Sequence, residues 1–143
     1  MNSERDKYLQ SAIRFCNAFS QGKEIEHILS LFSDKHPISA IEHGDPHLAP
    51  FLGREFEGRR GIKNYFQIIE SLLAYENVQF SEYVVDAMER KVGVKGKGRF
   101  IWKSTGKGWD EVFAYVLDFD EDGKVVRYQI WSDTGSAYLA SRE

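Results

Sequence analysis

The chain reads as one α+β domain in which three N-terminal helices pack into a strongly curved, mostly antiparallel sheet. Three observations predict it. Apolar residues recur at helical spacing in three stretches of the first half, and the second half alternates as strands do. Glycines then interrupt one of those strands, Gly93, Gly96 and Gly98, where a sheet needs bends or bulges to curve. The resulting order is helix, helix, strand, helix, then four strands, which segregates the helices to one side of the sheet.

The first helix spans about Arg5 to Ser20. Leu9, Ala12, Ile13, Cys16 and Phe19 step by three and four, so one face is buried. Ser3 is placed to cap its start, and Gly22 can take the left-handed conformation that ends it. A shorter helix covers Lys23 to Phe32, with Ile25, Ile28, Leu29 and Phe32 inward, and His36-Pro37 blocks its extension. Ile38 to His43 is a short strand. Gly44 to Gly58 carries Pro46, Pro50 and several glycines and reads as a long loop, a length that in a compact domain points to function or a lid. The third helix runs from Arg59 to Tyr75 on Ile62, Tyr65, Phe66, Ile69, Leu72 and Leu73. Strands follow at Val78 to Asp86, Lys91 to Ser104, Trp109 to Asp120 and Lys124 to Thr134.

Bulk properties narrow the function classes. With 143 residues, 42% of them hydrophobic and 29% charged, the chain suits one folded domain over 1–143 and not a disordered segment. A 14% aromatic share exceeds what a small core needs and suggests an aromatic-lined cavity or a large interface. A net charge of −3 provides no general attraction for nucleic acid or an anionic membrane. No run of about 18 apolar residues is present for a membrane span. The charged opening MNSERDKYLQ has no secretory character, and the single cysteine, Cys16, fits a reducing compartment, so a cytoplasmic location is expected.

The last hairpin, Glu111 to Asp133, organises the rest. Asp120-Glu-Asp-Gly-Lys124 fits a three-residue turn with Gly123 in the left-handed region. That turn sets Phe119 opposite Val125, Leu117 opposite Arg127, Tyr115 opposite Gln129, Phe113 opposite Trp131 and Glu111 opposite Asp133, all on one face. The other face carries Val112, Ala114, Val116, Val126, Tyr128 and Ile130. Three helices cover only one side of a sheet, so the second apolar face predicts a homodimer.

Taken together, FCNAFSQGKEIEHILSLFSD, the stretch FEGRRGIKNYF from Phe56 to Phe66, and DEDGKVVRYQIWSD resemble, in order and spacing, the nuclear transport factor two-like, or SnoaL-like, cone-fold family. Its members include steroid isomerases, polyketide cyclases, dehydratases, epoxide hydrolases and non-catalytic binding proteins. The resemblance implies a pocket inside the cone, on the face that holds Trp131 and Asp133, and Asp133 matches the acid/base aspartate of the cyclases. It also departs from the ketosteroid isomerases: Phe15 falls where they carry an oxyanion-hole tyrosine, and their general-base aspartate falls near Lys35.

The candidate catalytic groups are Asp133, Glu111 and His43. Two carboxylates together in an apolar cavity cannot both ionise cheaply, which separates their pKa values and makes an acid/base pair. His43, at the end of the first strand, titrates near working pH in its ordinary state. Trp131, Tyr115, Phe113, Trp102 and Phe15 are the candidate aromatic contacts for a flat apolar ligand, and Gln129 a candidate hydrogen-bonding partner for it. His43 and His47 are separated by Gly44 and Pro46, which prevents the helical two-histidine metal geometry, so neither a metal nor another cofactor is expected. The functional expectation is acid/base isomerisation, cyclisation or dehydration of a small apolar polyketide- or terpenoid-like metabolite. A non-catalytic binding or dimerisation module is the other reading.

Overall fold

A computed structural model describes residues 3–143. Helix α1 is Glu4–Ser20, and the Ser3 hydroxyl caps it by accepting from the Asp6 N–H at 3.1 Å. Gly22 takes φ +65° just past its end, as a left-handed stop requires. Helix α2 is only Ile25–Leu29. Strand β1 (Ser39–His43) leads through the long loop to helix α3 (Gly58–Leu72). Strands β3 (Leu73–Asp86), β4 (Lys91–Trp102), β5 (Gly108–Phe119) and β6 (Val125–Trp131) complete the sheet, together with β2 (Glu55–Glu57). The strand order is β2-β1-β6-β5-β4-β3, antiparallel throughout except for β1 beside β6. Aromatic and aliphatic side chains of α1, α2 and α3 pack into the concave face around Phe15, Phe32, Tyr115, Leu117 and Tyr128.

Two elements are additional to those the sequence predicts. Strand β2 forms inside the predicted loop and pairs with β1 through Ala40 and Phe56. A fourth helix, α4 (Thr134–Ser141), follows the last strand, which ends at Trp131 instead of the expected Thr134. Asp133 caps it: its Oδ1 accepts from the Ser136 N–H at 3.0 Å and its Oδ2 from the Ser136 hydroxyl at 2.6 Å. The third helix also stops earlier, and β3 begins directly at Leu73, whose inward side chain continues the buried face without a connecting loop.

The glycines of β4 do not make its bulges; the register shifts lie in β3, beside the positive-φ residues Asn77 and Glu82. Gly96 faces Phe113 across the β4–β5 pair, and a Cβ there would sit 2.3 Å from the ring. Its missing side chain is therefore room for an aromatic ring in the cone.

The final hairpin departs from the predicted register by one residue. The turn itself is as expected: Gly123 has φ +79°, its N–H reaches the Asp120 carbonyl, and Phe119 lies opposite Val125. Val126 is then bulged out. Asp118 pairs with Arg127, Leu117 with Tyr128, Tyr115 with Ile130 and Ala114 with Trp131. Val125 and Tyr128 both belong in the core, each 1% exposed, yet they are three apart. A strand of period two buries both only if one extra residue is inserted between them. After the bulge Tyr128 and Ile130 face in, whereas Arg127, Gln129 and Trp131 face out.

Candidate active site

The interior of the cone contains a cavity of about 570 Å³ of unfilled space including its mouth, of which about 50 Å³ admits the centre of a water molecule. Its walls follow from the alternation just described. Strand β5 contributes Glu111, Phe113 and Tyr115, β6 contributes Tyr128 and Ile130, and β1 contributes Glu42. Tyr65, Phe66 and Ile69 come from one face of α3, and Thr134 and Ala137 of α4 close one side. Phe51 and Leu52 of the long loop complete the wall, each at most 2% exposed, so the loop is packed into the cone. Gly53 holds that loop in place. Its N–H donates to the Glu42 carbonyl at 2.8 Å, and with φ +71° a Cβ would fall 2.4 Å from the Gly44 oxygen.

Two carboxyl groups face this apolar space. Glu42 is 7% exposed; its Oε1 accepts from the Tyr65 hydroxyl and its Oε2 from the Ser132 hydroxyl, both at 2.6 Å. Burial raises its pKa above the ordinary carboxylate value, against the lowering effect of those two bonds. Glu111 is 9% exposed, with Oε1 accepting from the Trp109 indole N–H at 2.7 Å and Oε2 from the Asp133 backbone N–H at 3.4 Å. Burial pushes Glu111 up to about 7; the Trp109 and Asp133 bonds oppose that, and the negative charge of Glu42 adds to it. The partner types differ in kind. Glu42 is held by hydroxyls, which can donate or accept, so it can stay protonated with its proton bonded. Glu111 is held only by N–H groups, which cannot accept, so a proton on Glu111 has no protein acceptor among these partners and remains available to a bound molecule.

Glu111, Phe113 and Tyr115 therefore line the cavity together, as the sequence predicts. Asp133 does not: it is exposed, its carboxylate is committed to capping α4, and the Ser136 bonds hold its pKa below the usual value. What Asp133 offers Glu111 is a backbone N–H. His43, Gln129 and Trp131 form a separate cluster on the outer face, with His43 Nε2 2.9 Å from Gln129 Oε1 and the imidazole stacked on the Trp131 indole at 4.5 Å. The one-residue shift at Val126 accounts for Gln129 and Trp131, and strand alternation in β1 puts His43 opposite to Glu42. Phe15 and Trp102 point inward but pack away from the cavity, Phe15 edge-on to Tyr128 at 5.0 Å and Trp102 beside Phe51 at 6.5 Å. Cys16 is wholly buried, and burial pushes its thiol up to about 12, which leaves it unreactive.

Glu42 is the group the sequence analysis missed. Its signal is alternation: in Ser39–His43 it shares a face with Ala40, and Ala40 is fully buried. Ile41 on the other face masks that signal by suggesting the opposite orientation. Among the described residues no three His, Cys, Asp or Glu side chains converge as metal ligands would, and no helix is long and apolar enough to cross a membrane.

No known protein-family profile matches the chain, and neither does any curated protein sequence. Solved structures do. The chain superposes on an NTF2-like protein of unknown function from Burkholderia pseudomallei with a TM-score of 0.80, at 14% identity over 96% of this chain and 98% of that one. It is similar to a candidate isomerase from Bacillus subtilis with a TM-score of 0.79, at 13% identity over 99% and 98% of the two chains. TerC, solved with polyporic acid, matches with a TM-score of 0.78 at 16% identity, covering 96% and 99%. The fold is thus the NTF2-like cone, and further structural neighbours are ketosteroid isomerase-like and SnoaL-like proteins. At such identities the likeness defines the fold and leaves activity to the site.

Proposed function

We propose that the chain is a cofactor-independent isomerase, cyclase or dehydratase that moves protons on a small, largely apolar metabolite of polyketide or terpenoid type. The observation that carries this reading is Glu111: a buried carboxyl in a half-aromatic cavity, raised by burial to about 7, whose two hydrogen-bond partners among the described residues both donate to it. A group that holds its proton at pH 6 and releases it at pH 8 is suited to both directions of proton transfer. Glu42, fixed by Tyr65 and Ser132, is a second buried carboxyl of the same cavity. Asp133 serves as a positioning residue, through its N–H to Glu111 and its cap on α4. The cone fold, whose structural relatives include a candidate isomerase and TerC solved with polyporic acid, supports the same class of chemistry.

The experiment is a carboxyl titration by NMR paired with Glu111→Gln. Titration near 7, and a folded variant without turnover on an aromatic or terpenoid substrate panel, supports the enzyme. An ordinary carboxylate value at Glu111 points instead to a binding module without catalysis.

The assembly we propose is a homodimer through the outer sheet face. Val112 is 59% and Trp131 43% exposed there, flanked by Ala114, Val116, Ile41 and Gln129 on paired strands. A cytoplasmic location is consistent with the single cysteine, buried as a free thiol.

A further inference from the structure

We propose that the cavity is built to hold positive charge, so that the reaction begins with proton donation by Glu111 and passes through a cationic form of the substrate. This rests on the reading of the cavity as the substrate site, and it narrows the substrate to an apolar compound with an electron-rich carbon–carbon double bond.

The lining decides the sign of charge. Among the described residues, half of the lining is aromatic, two members are glutamates, and none is lysine, arginine or histidine. Every ionisable side chain in it, Glu42, Tyr65, Glu111, Tyr115 and Tyr128, is shifted by burial toward its uncharged form, and every one would become negative on ionising. An enolate or alkoxide formed here would meet the same burial penalty with no cation opposite. The hydroxyls that could bind an oxyanion are partly engaged: Tyr65 and Ser132 bond to Glu42. A cation meets the opposite surroundings, the negative faces of aromatic rings and a carboxylate that has just lost its proton.

The step balances without a co-reactant. The Glu111 O–H bond breaks as its proton forms a C–H bond with one carbon of the double bond. The other carbon is left positive and the carboxylate negative. Loss of a proton from the adjacent carbon to Glu111 gives the shifted alkene and restores the acid. Attack of a second double bond on the cation, before that loss, gives a ring.

The test compares three probes on the full chain by proton-detected NMR of the cavity residues, with quenching of the combined tryptophan fluorescence as a second readout. Benzyltrimethylammonium mimics the cation, neopentylbenzene is its neutral isostere, and phenylacetate, ionised at pH 8, is the anion mimic. The expected result is that the ammonium binds more than tenfold tighter than its isostere at pH 8. That affinity should fall about tenfold per pH unit below the Glu111 value of about 7, because the ammonium requires the ionised carboxylate. Glu111→Gln should abolish both the advantage and its pH dependence; the wild-type pH profile stands independently of that variant. Equal binding of the two isosteres, or tighter binding of phenylacetate than of the ammonium, overturns the cationic route and leaves the cavity as the ligand site. Failure of all three probes to perturb the cavity overturns both.

Discussion

The Trp109 indole N–H donates to Glu111 Oε1 at 2.7 Å, two residues along the same strand. Residues i and i+2 share a face in β structure, so this bond is local, and it orients the acid that the fold buries. Because the indole can only donate, it supports the carboxylate and cannot receive the proton of the acid form. Trp109→Phe should keep the aromatic wall while raising the Glu111 pKa further, shifting any pH–rate profile to higher pH; an unmoved profile would exclude the bond from the mechanism.

Stability should depend on pH through the same group. The folded-state pKa of Glu111 is about 7, above the ordinary glutamate value of 4.5. The native state therefore binds more protons between those values, and the stabilising contribution is complete below about 4.5 and lost as pH rises through about 7. The size is on the order of 3 kcal/mol. Chemical denaturation at pH 5 and pH 8 should show that loss in the wild type and a flatter profile in Glu111→Gln.

Glu42 should tolerate an amide but not a hydrocarbon. In Glu42→Gln the side chain can still accept from Tyr65 and meet Ser132. Glu42→Leu strands the Tyr65 hydroxyl in the core, at a cost of about 1–3 kcal/mol. Thermal melts of the two variants separate these outcomes.

At Asp133 the charge matters less than the cap. Asp133→Asn retains an acceptor for the Ser136 N–H and should retain activity. Asp133→Ala should lose about 1 kcal/mol and fray α4, seen as faster amide exchange over Thr134–Ser141.

Gly96→Ala should destabilise the cone by about 1–3 kcal/mol, because the new methyl meets the Phe113 ring. Adding Phe113→Leu should recover part of that loss. Simple additivity in a double-mutant cycle would rule out the ring contact as the cause.

Replacing Val112 with lysine on the outer face should convert the proposed dimer to a monomer in sedimentation without altering the circular dichroism. A wild type that sediments as a monomer at micromolar concentration would remove the dimer.

Much of this architecture is legible in the chain itself. The apolar steps of α1 and α3, the Ser3 cap, the Gly123 turn and the alternation of β5 are local consequences of period and side-chain chemistry. They were enough to place Glu111, Phe113 and Tyr115 on one inward face. What local periodicity could not supply is the phase between neighbouring strands. The bulge at Val126 depends on Val125 and Tyr128 both being needed in the core, a demand made by α1, α2 and α3 across the cone. That single extra residue moves Gln129 and Trp131 outside and leaves Asp133 at the start of α4. Burial by elements distant in sequence likewise brings Glu42, in β1, to the same cavity as Glu111, in β5. The sequence offered carboxyls on two strands, Asp133 foremost and Glu111 second; the packing of the whole sheet decided that Glu111 and Glu42 are the ones facing the cavity.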